Sequence, residues 1–187
     1  MVGNDIVDIN EAKNASNWQR PRFLDKLFTT QEQVLIQNAS NPFLKVWRLW
    51  SMKEAAYKLY TQHYPSRFYN PKRFECFIHG DIGVVKFQEF QCYVSTKITS
   101  QYIMSEARQD MKPMTSKVIK FETKSVKNQS EIIRKLLLKT AGETFNISKE
   151  NLKITNSKYG VPSININSKI RSLSLTHHGN YGAYALS

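Results

Sequence analysis

Residues 42–60 read PFLKVWRLWSMKEAAYKLY, and residues 74–98 read FECFIHGDIGVVKFQEFQCYVSTKI. In the first stretch Phe43, Val46, Trp47, Trp50, Ala55 and Leu59 recur at helical spacing behind Asn41-Pro42, a start signal, so the segment reads as one helix. In the second, residues 74–79, 83–90 and 91–98 alternate and carry β-branched or aromatic side chains, the pattern of an antiparallel meander. A helix followed by such strands gives an α+β chain, with helices covering antiparallel sheet.

The same reading extends outward. Residues 2–9, VGNDIVDI, place Val2, Ile6, Val7 and Ile9 around two acids, as in a strand running into a loop. Thr29 with Glu32 three residues later is a capping-box signature, opening a short helix to about Asn38. Pro65 and Pro71 fall in the connection after the long helix. Lys112-Pro113-Met114 interrupts the pattern and marks a division of the chain into residues 1–112 and 113–187. Beyond it, residues 117–123 read as a strand. Ser130 reads as the cap of a helix reaching Phe145, with Ile132, Ile133, Leu136, Leu137 and Ala141 on one face. Strands at 152–156, 163–166, 172–176 and 181–186 follow, with a turn at Tyr159-Gly160-Val161-Pro162.

The 187 residues suffice for one compact domain or two small halves packed together. No run approaches the roughly 20 apolar residues that span a bilayer, and MVGNDIVDIN has no basic n-region, unlike a secretory signal. Cys76 and Cys92 lack CxxC spacing and read as buried or half-buried thiols, so the chain reads as cytoplasmic. Lys and Arg number 27 against 15 Asp and Glu, a net charge of +12. That surplus attracts polyanions and acidic proteins. The basic residues are spread along the chain without a zinc-finger or RRM signature, so a phosphate-rich small molecule or an acidic protein accounts for the charge as well as nucleic acid does.

Three clusters carry chemistry. Asp5 and Asp8, three apart, cannot point the same way from an extended strand. Both are either strand-end residues, Asp8 capping the next turn, or Asp5 supplies a hard oxygen ligand for Mg2+. Glu54 and Lys58 stand at i and i+4 on one helix face. They form either a surface ion pair or, with Lys53, one metal ligand and two phosphate-binding cations suited to phosphoryl chemistry. Finally, Ser172-Leu173-Ser174-Leu175-Thr176-His177-His178-Gly179 ends a strand in a hydroxyl and two histidines. No further ligand stands at zinc spacing. The alternatives are a hairpin with satisfied surface histidines, or Thr176 and His177 binding a phosphate.

Taken in order, GNDIVDI, RFLDKLFTTQEQ, WSMKEAAYK, YGVP and SLTHHG resemble the 4'-phosphopantetheinyl transferase superfamily, whose motifs include W-x-x-K-E-A-x-x-K and S-[IL]-[ST]-H. The resemblance implies a phosphopantetheinyl transferase-like fold of two small halves, a pseudo-dimer that works as a monomer. It implies transfer of 4'-phosphopantetheine from coenzyme A to a serine of an apo acyl or peptidyl carrier protein, in fatty acid, polyketide or peptide synthesis. Asp5 and Glu54 would bind Mg2+ at the coenzyme A pyrophosphate, with Asp8 as a further metal candidate. Glu54 would help deprotonate the serine, and Lys58 would assist the leaving group. Lys53 would face phosphate, and Thr176 and His177 would hold the 3'-phosphate. Two departures stand out. Val7 occupies the position where two-half members carry an acid, while Asp8 falls three after Asp5, as in the holo-acyl-carrier-protein synthase type. The family's G-K-P becomes Gly160-Val161-Pro162, with Lys158 nearby. Acidic carriers also match the positive charge. The competing readings are a degenerate member that binds coenzyme A or carrier without catalysis, and a basic nucleic-acid-binding protein.

Overall fold

The computed structural model describes residues 1–66, 68, 70–110, 112–122 and 125–187. Strand β1 (Val2–Asp8) passes directly into helix α1 (Ile9–Ala15), where the sequence pointed to a loop. Asp8 takes the N–H groups of Asn10 and Glu11 and so caps a helix. Helices α2 (Phe23–Leu27), α3 (Thr30–Gln37) and α4 (Pro42–His63) follow. The expected capping box opens α3: Thr29 Oγ1 accepts the Glu32 N–H while the Glu32 carboxylate accepts the Thr29 N–H. The Asn41 side chain takes the Leu44 N–H at the start of α4.

The meander is present as β2 (Glu75–His79), β3 (Ile82–Phe87) and β4 (Phe90–Ile98), and β5 (Tyr102–Arg108) extends it. Helix α4 covers one face of β5, and Met104 packs into a cluster on the other, so β5 lacks the alternation that marks a half-buried strand. Strand β6 (Thr115–Lys120) covers most of the expected 117–123 segment, of which Thr123 lies outside the described residues. Helix α5 (Val126–Phe145) begins five residues before the expected start. Ser125, not Ser130, is its cap and takes the Asn128 N–H. Its first turn carries few buried groups, so the apolar periodicity starts late. Strands β7 (Ile154–Asn156), β8 (Pro162–Ile166), β9 (Lys169–His178) and β10 (Tyr181–Leu186) complete the chain.

Two five-stranded antiparallel sheets result, in the orders β1-β5-β4-β3-β2 and β6-β10-β9-β8-β7. These are the same topology twice: one strand, a long helix, then a four-strand meander whose last strand pairs with the first. Helices α1 to α3 are an insertion present only in the first copy. Helix α4 packs Val46, Leu49, Met52, Ala56 and Leu59 onto the first sheet, and α5 packs Ile133, Leu137 and Ala141 onto the second. A third cluster of Ile6, Met104, Tyr181 and Ala183 joins the sheets, with the Tyr102 and Tyr181 rings 5.3 Å apart. The fold class is the α+β pseudo-dimer that the sequence indicated.

Cys76 and Cys92 are free and buried. Burial raises the Cys76 thiol well above its ordinary range and pushes Cys92 up to about 12. Among the described residues no helix is long and apolar enough to cross a membrane.

Candidate active site

Strand β1 lies at the edge of its sheet, and an edge strand exposes a row of unpaired backbone groups. Here side chains occupy that row. The N–H groups of Val2, Asn4, Ile6 and Asp8 donate to Gln62 Oε1 (3.3 Å), Ser174 Oγ (3.0 Å), Thr176 Oγ1 (3.3 Å) and His178 Nδ1 (3.0 Å). The carbonyls of Val2 and Asn4 accept from Gln62 Nε2 (2.6 Å) and Lys58 Nζ (2.9 Å). Strand β9 can supply three of these partners because it changes neighbours. Lys169–Ser172 pair with β8, whereas Leu173–His178 pair with β10 alone and leave the other side to β1. The alternation of Ser174, Thr176 and His178 is therefore a ladder of side-chain acceptors, one for every second residue of β1. Because Nδ1 of His178 accepts, its ring proton sits on Nε2.

Helix α4 crosses the other side of β1. Ser51 Oγ donates to the Asp5 carbonyl at 3.3 Å. A Cβ on Gly3 would collide with the Ala55 carbonyl and approach Leu59 N to 2.8 Å, so only glycine permits this crossing. Lys58 and Gln62 stand farther along the same helix face. The Asp5 side chain, 11% exposed, is set between helix and ladder: Oδ1 accepts from Lys58 Nζ at 3.1 Å and from Thr176 Oγ1 at 3.1 Å. Glu54 stands one turn before Lys58. It lies close enough to Tyr57 for its charge to add to burial, the larger effect, in raising that phenol.

Beside Lys58 opens a cleft of about 230 Å3 between α4 and the second sheet, lined by Tyr57, Lys58, Gln62, Val161, Pro162 and Leu173 among others. The YGVP turn, almost a hundred residues away in sequence, thus forms one wall. His177 is exposed at the end of β9. Its imidazole is pushed below the ordinary value by partial burial first, then by Lys58 and His178, so it shares the electrostatic surroundings of Lys58.

Several sequence expectations change. Lys53 does not face the cleft. It is fully buried, with its ammonium held by the Glu32 carboxylate (2.8 Å) and the carbonyls of Pro71 (3.1 Å) and Phe74 (2.6 Å), so all three N–H groups are used inside the protein. Its neighbour Glu54 stands about 100° farther round the helix and is half-buried rather than sealed. Lys58 reaches Asp5 and the Asn4 carbonyl, contacts that the expected i,i+4 pair with Glu54 did not anticipate. Thr176 is buried, and its hydroxyl proton points at Asp5 rather than outward to a phosphate.

Asp8 is likewise committed to structure. Its Oδ1 caps α1, and its Oδ2 accepts the Asn180 N–H at 2.9 Å, clamping the β9–β10 turn. Gly179 at φ +57° sits so close that any Cβ would strike the Asp8 carboxylate. The sequence reading missed Ser51, Gln62, Ser174 and His178. The period-2 polar pattern of β9 and the i+4 step from Lys58 to Gln62 were the available signals.

Among the described residues no group of three or more His, Cys, Asp or Glu could hold a metal ion. Side-chain bonds to Asp5 fall on Oδ1. Asp5 on β1 and Glu54 on α4 are hard oxygen donors carried by two elements that cross at Gly3. That set suits a cation which keeps much of its water, as Mg2+ does.

A family model described as the 4'-phosphopantetheinyl transferase superfamily matches residues 1–106, more than half of the chain. No curated protein matches.

Proposed function

Because the chain belongs to the 4'-phosphopantetheinyl transferase superfamily, we propose that it moves the 4'-phosphopantetheine group of coenzyme A onto a serine of an apo acyl or peptidyl carrier protein, in the manner of a holo-acyl-carrier-protein synthase. The observation that carries the reading is the Asp5 carboxylate locked by Lys58 and Thr176, with Lys58 also lining the cleft between α4 and the second sheet. Residues 1–112 supply Asp5, Glu54 and Lys58. Residues 113–187 close the site with β9 and the YGVP wall, so one chain works as a monomeric pseudo-dimer.

In the reaction the serine oxygen bonds to the phosphorus that carries pantetheine, the phosphoanhydride P–O bond breaks, and 3',5'-ADP departs. Such transfers depend on positioning and on neutralising charge. Asp5, through the oxygen not taken by Lys58 and Thr176, and Glu54 would hold Mg2+, which when bound supplies charge neutralisation at the pyrophosphate. Glu54, directly or through a water, accepts the serine proton. Lys58 uses two of its three N–H groups on Asn4 and Asp5, and its third is available to the leaving group. His177, exposed and near Lys58, receives the 3'-phosphate. Val161 puts an apolar surface in the cleft wall, which suits an uncharged part of the donor.

The net charge of +12 gives long-range attraction for an acidic carrier and raises its association rate. Two buried free thiols suit a cytoplasmic setting.

The test is incubation of the protein with Mg2+, coenzyme A and several apo-carriers, followed by intact mass. A phosphopantetheine adduct that disappears with Asp5→Ala and Glu54→Ala supports the reading. Coenzyme A binding without transfer to any carrier would replace it with a non-catalytic binder.

A further inference from the structure

We infer that Thr176 is a positioning residue for the reaction: its hydroxyl aims the Asp5 carboxylate from the opposite half of the molecule. The inference rests on the function proposed above and gives a role to a residue that the motif resemblance assigned to phosphate.

The Thr176 hydroxyl has one proton and two acceptor sites. The proton goes to Asp5 Oδ1 at 3.1 Å, and one acceptor site takes the Ile6 N–H at 3.3 Å. The residue is 6% exposed and flanked along β9 by Ser174 and His178, which hold Asn4 and Asp8 in the same way. Thr176 thus grips the backbone one residue beyond Asp5 and the Asp5 side chain together. Lys58 reaches the same Oδ1 from α4. Two donors from elements 118 positions apart in sequence therefore fix one carboxylate oxygen and turn the other away from them. Neither donor alone fixes the rotation of the carboxylate: Lys58 is a point charge on a flexible stem, whereas a threonine hydroxyl on a strand has few rotamers. A hydrogen bond to an ionised group is also stronger than one between neutral partners.

Thr176→Val preserves shape and removes the hydroxyl, Thr176→Ser restores it, and Tyr181→Phe is the structural control. The Tyr181 hydroxyl donates to Gln101 at 2.8 Å across the same interface, without touching Asp5. Mn2+ binding by electron paramagnetic resonance, melting temperature and the transfer kinetics are measured for each protein. Loss of one hydrogen bond to a charged group corresponds to roughly 10- to 100-fold. Thr176→Val should therefore weaken Mn2+ binding and lower kcat by about tenfold or more. The coenzyme A KM should stay within about threefold, as expected when the lost interaction acts in the transition state. Thr176→Ser should recover most of both losses. Tyr181→Phe should lower the melting temperature and leave Mn2+ affinity and kcat unchanged.

Equal Mn2+ affinity and kcat in wild type and Thr176→Val would overturn the inference. So would matching losses in Tyr181→Phe, which would assign the effect to the docking of the halves. A rise confined to the coenzyme A KM would return Thr176 to the phosphate. If the wild-type protein transfers nothing, the proposed function fails separately, and the Mn2+ titration still decides what Thr176 does to Asp5.

Discussion

Removing the carboxylate of Glu32 tests the clearest departure of the structure from the motif reading, the burial of Lys53. The Lys53 ammonium touches both Glu32 oxygens and two carbonyls, and both residues are sealed from solvent. Glu32 also accepts the N–H groups of Thr29 (2.8 Å) and Cys76 (2.9 Å), so it ties α3, α4 and β2 together. Breaking one side of a buried pair costs about 3–5 kcal/mol. For a chain of this size each kcal/mol is worth about 2–4 °C, so Glu32→Ala should lower the melting temperature by roughly 6–20 °C. The upper part of that range is expected, because two backbone donors lose their acceptor as well. Glu32→Gln combined with Lys53→Met removes both charges and keeps a carbonyl acceptor. It should unfold within about 2 kcal/mol of wild type in urea, because a buried pair stabilises little relative to neutral replacements. Its KM for coenzyme A should match wild type. A double variant with the wild-type unfolding midpoint and a KM raised tenfold or more would show that Lys53 meets the nucleotide, and would refute the structural role. A cost below about 1 kcal/mol for Glu32→Ala would show that the pair is not sealed at all.

Three further outcomes follow from the same geometry. Gly3→Ala should cost at least about 2 kcal/mol in urea unfolding and depress transfer, since the new methyl forces β1 away from α4 and moves Asp5; an unchanged midpoint would place the helix farther from the strand. His177 is held below 6.5 in the folded protein, so the unfolded chain binds more protons, and stability contributed by the neutral ring is lost as pH falls through 6.5. His177→Gln should flatten that part of the melting temperature profile, and an identical slope in the variant would remove His177 as its source. Cys76 and Cys92, buried with raised thiols, should resist alkylation at pH 8 in the folded protein and react together in denaturant, as followed by mass. Rapid labelling of either under native conditions would contradict their burial.

The elements most legible in the sequence were those with one wet and one dry face. Helix α4 and strands β2 to β4 carry clean periodicities because water sets one side of each pattern. Strand β5 was invisible because both of its faces are covered, and α1 was missed because its signal is a single cap, Asp8, that also served the metal reading. At the site, spacing indicated which polar residues share an element but not which way each side chain points. Helical spacing placed Glu54 and Lys58 on one face, but it could not reveal that Lys53, one residue away, turns into the core toward Glu32. Likewise the SLTHH alternation could be read as a strand. That its polar side chains serve the backbone of β1, some 170 positions away in sequence, depends on β8 beginning only at Pro162, so that its pairing with β9 ends at Ser172 and leaves one side of the rest of β9 open.

The repeated topology also explains why one chain should hold one reaction centre. In the first copy Asp8 pairs with Tyr102 and Asp5 with Ser105. In the second, Lys120 pairs with Tyr181 and Lys117 with Tyr184. Counted from the first residue of the closing strand, Lys120 stands where Asp8 stands and Lys117 where Asp5 stands. Both acids of the first copy are cations in the second, so the counterpart of Asp5 has no oxygen to offer a metal. The second copy instead contributes what the first lacks, the ladder of Ser174, Thr176 and His178 that seals the edge of β1. At the corresponding steps of the first copy, three, five and seven residues before the closing-strand tyrosine, stand Thr99, Lys97 and Ser95. The middle step, occupied in the second copy by the hydroxyl that grips Asp5, is a lysine. The copies have therefore specialised around a single carboxylate, one supplying it and the other holding it in place.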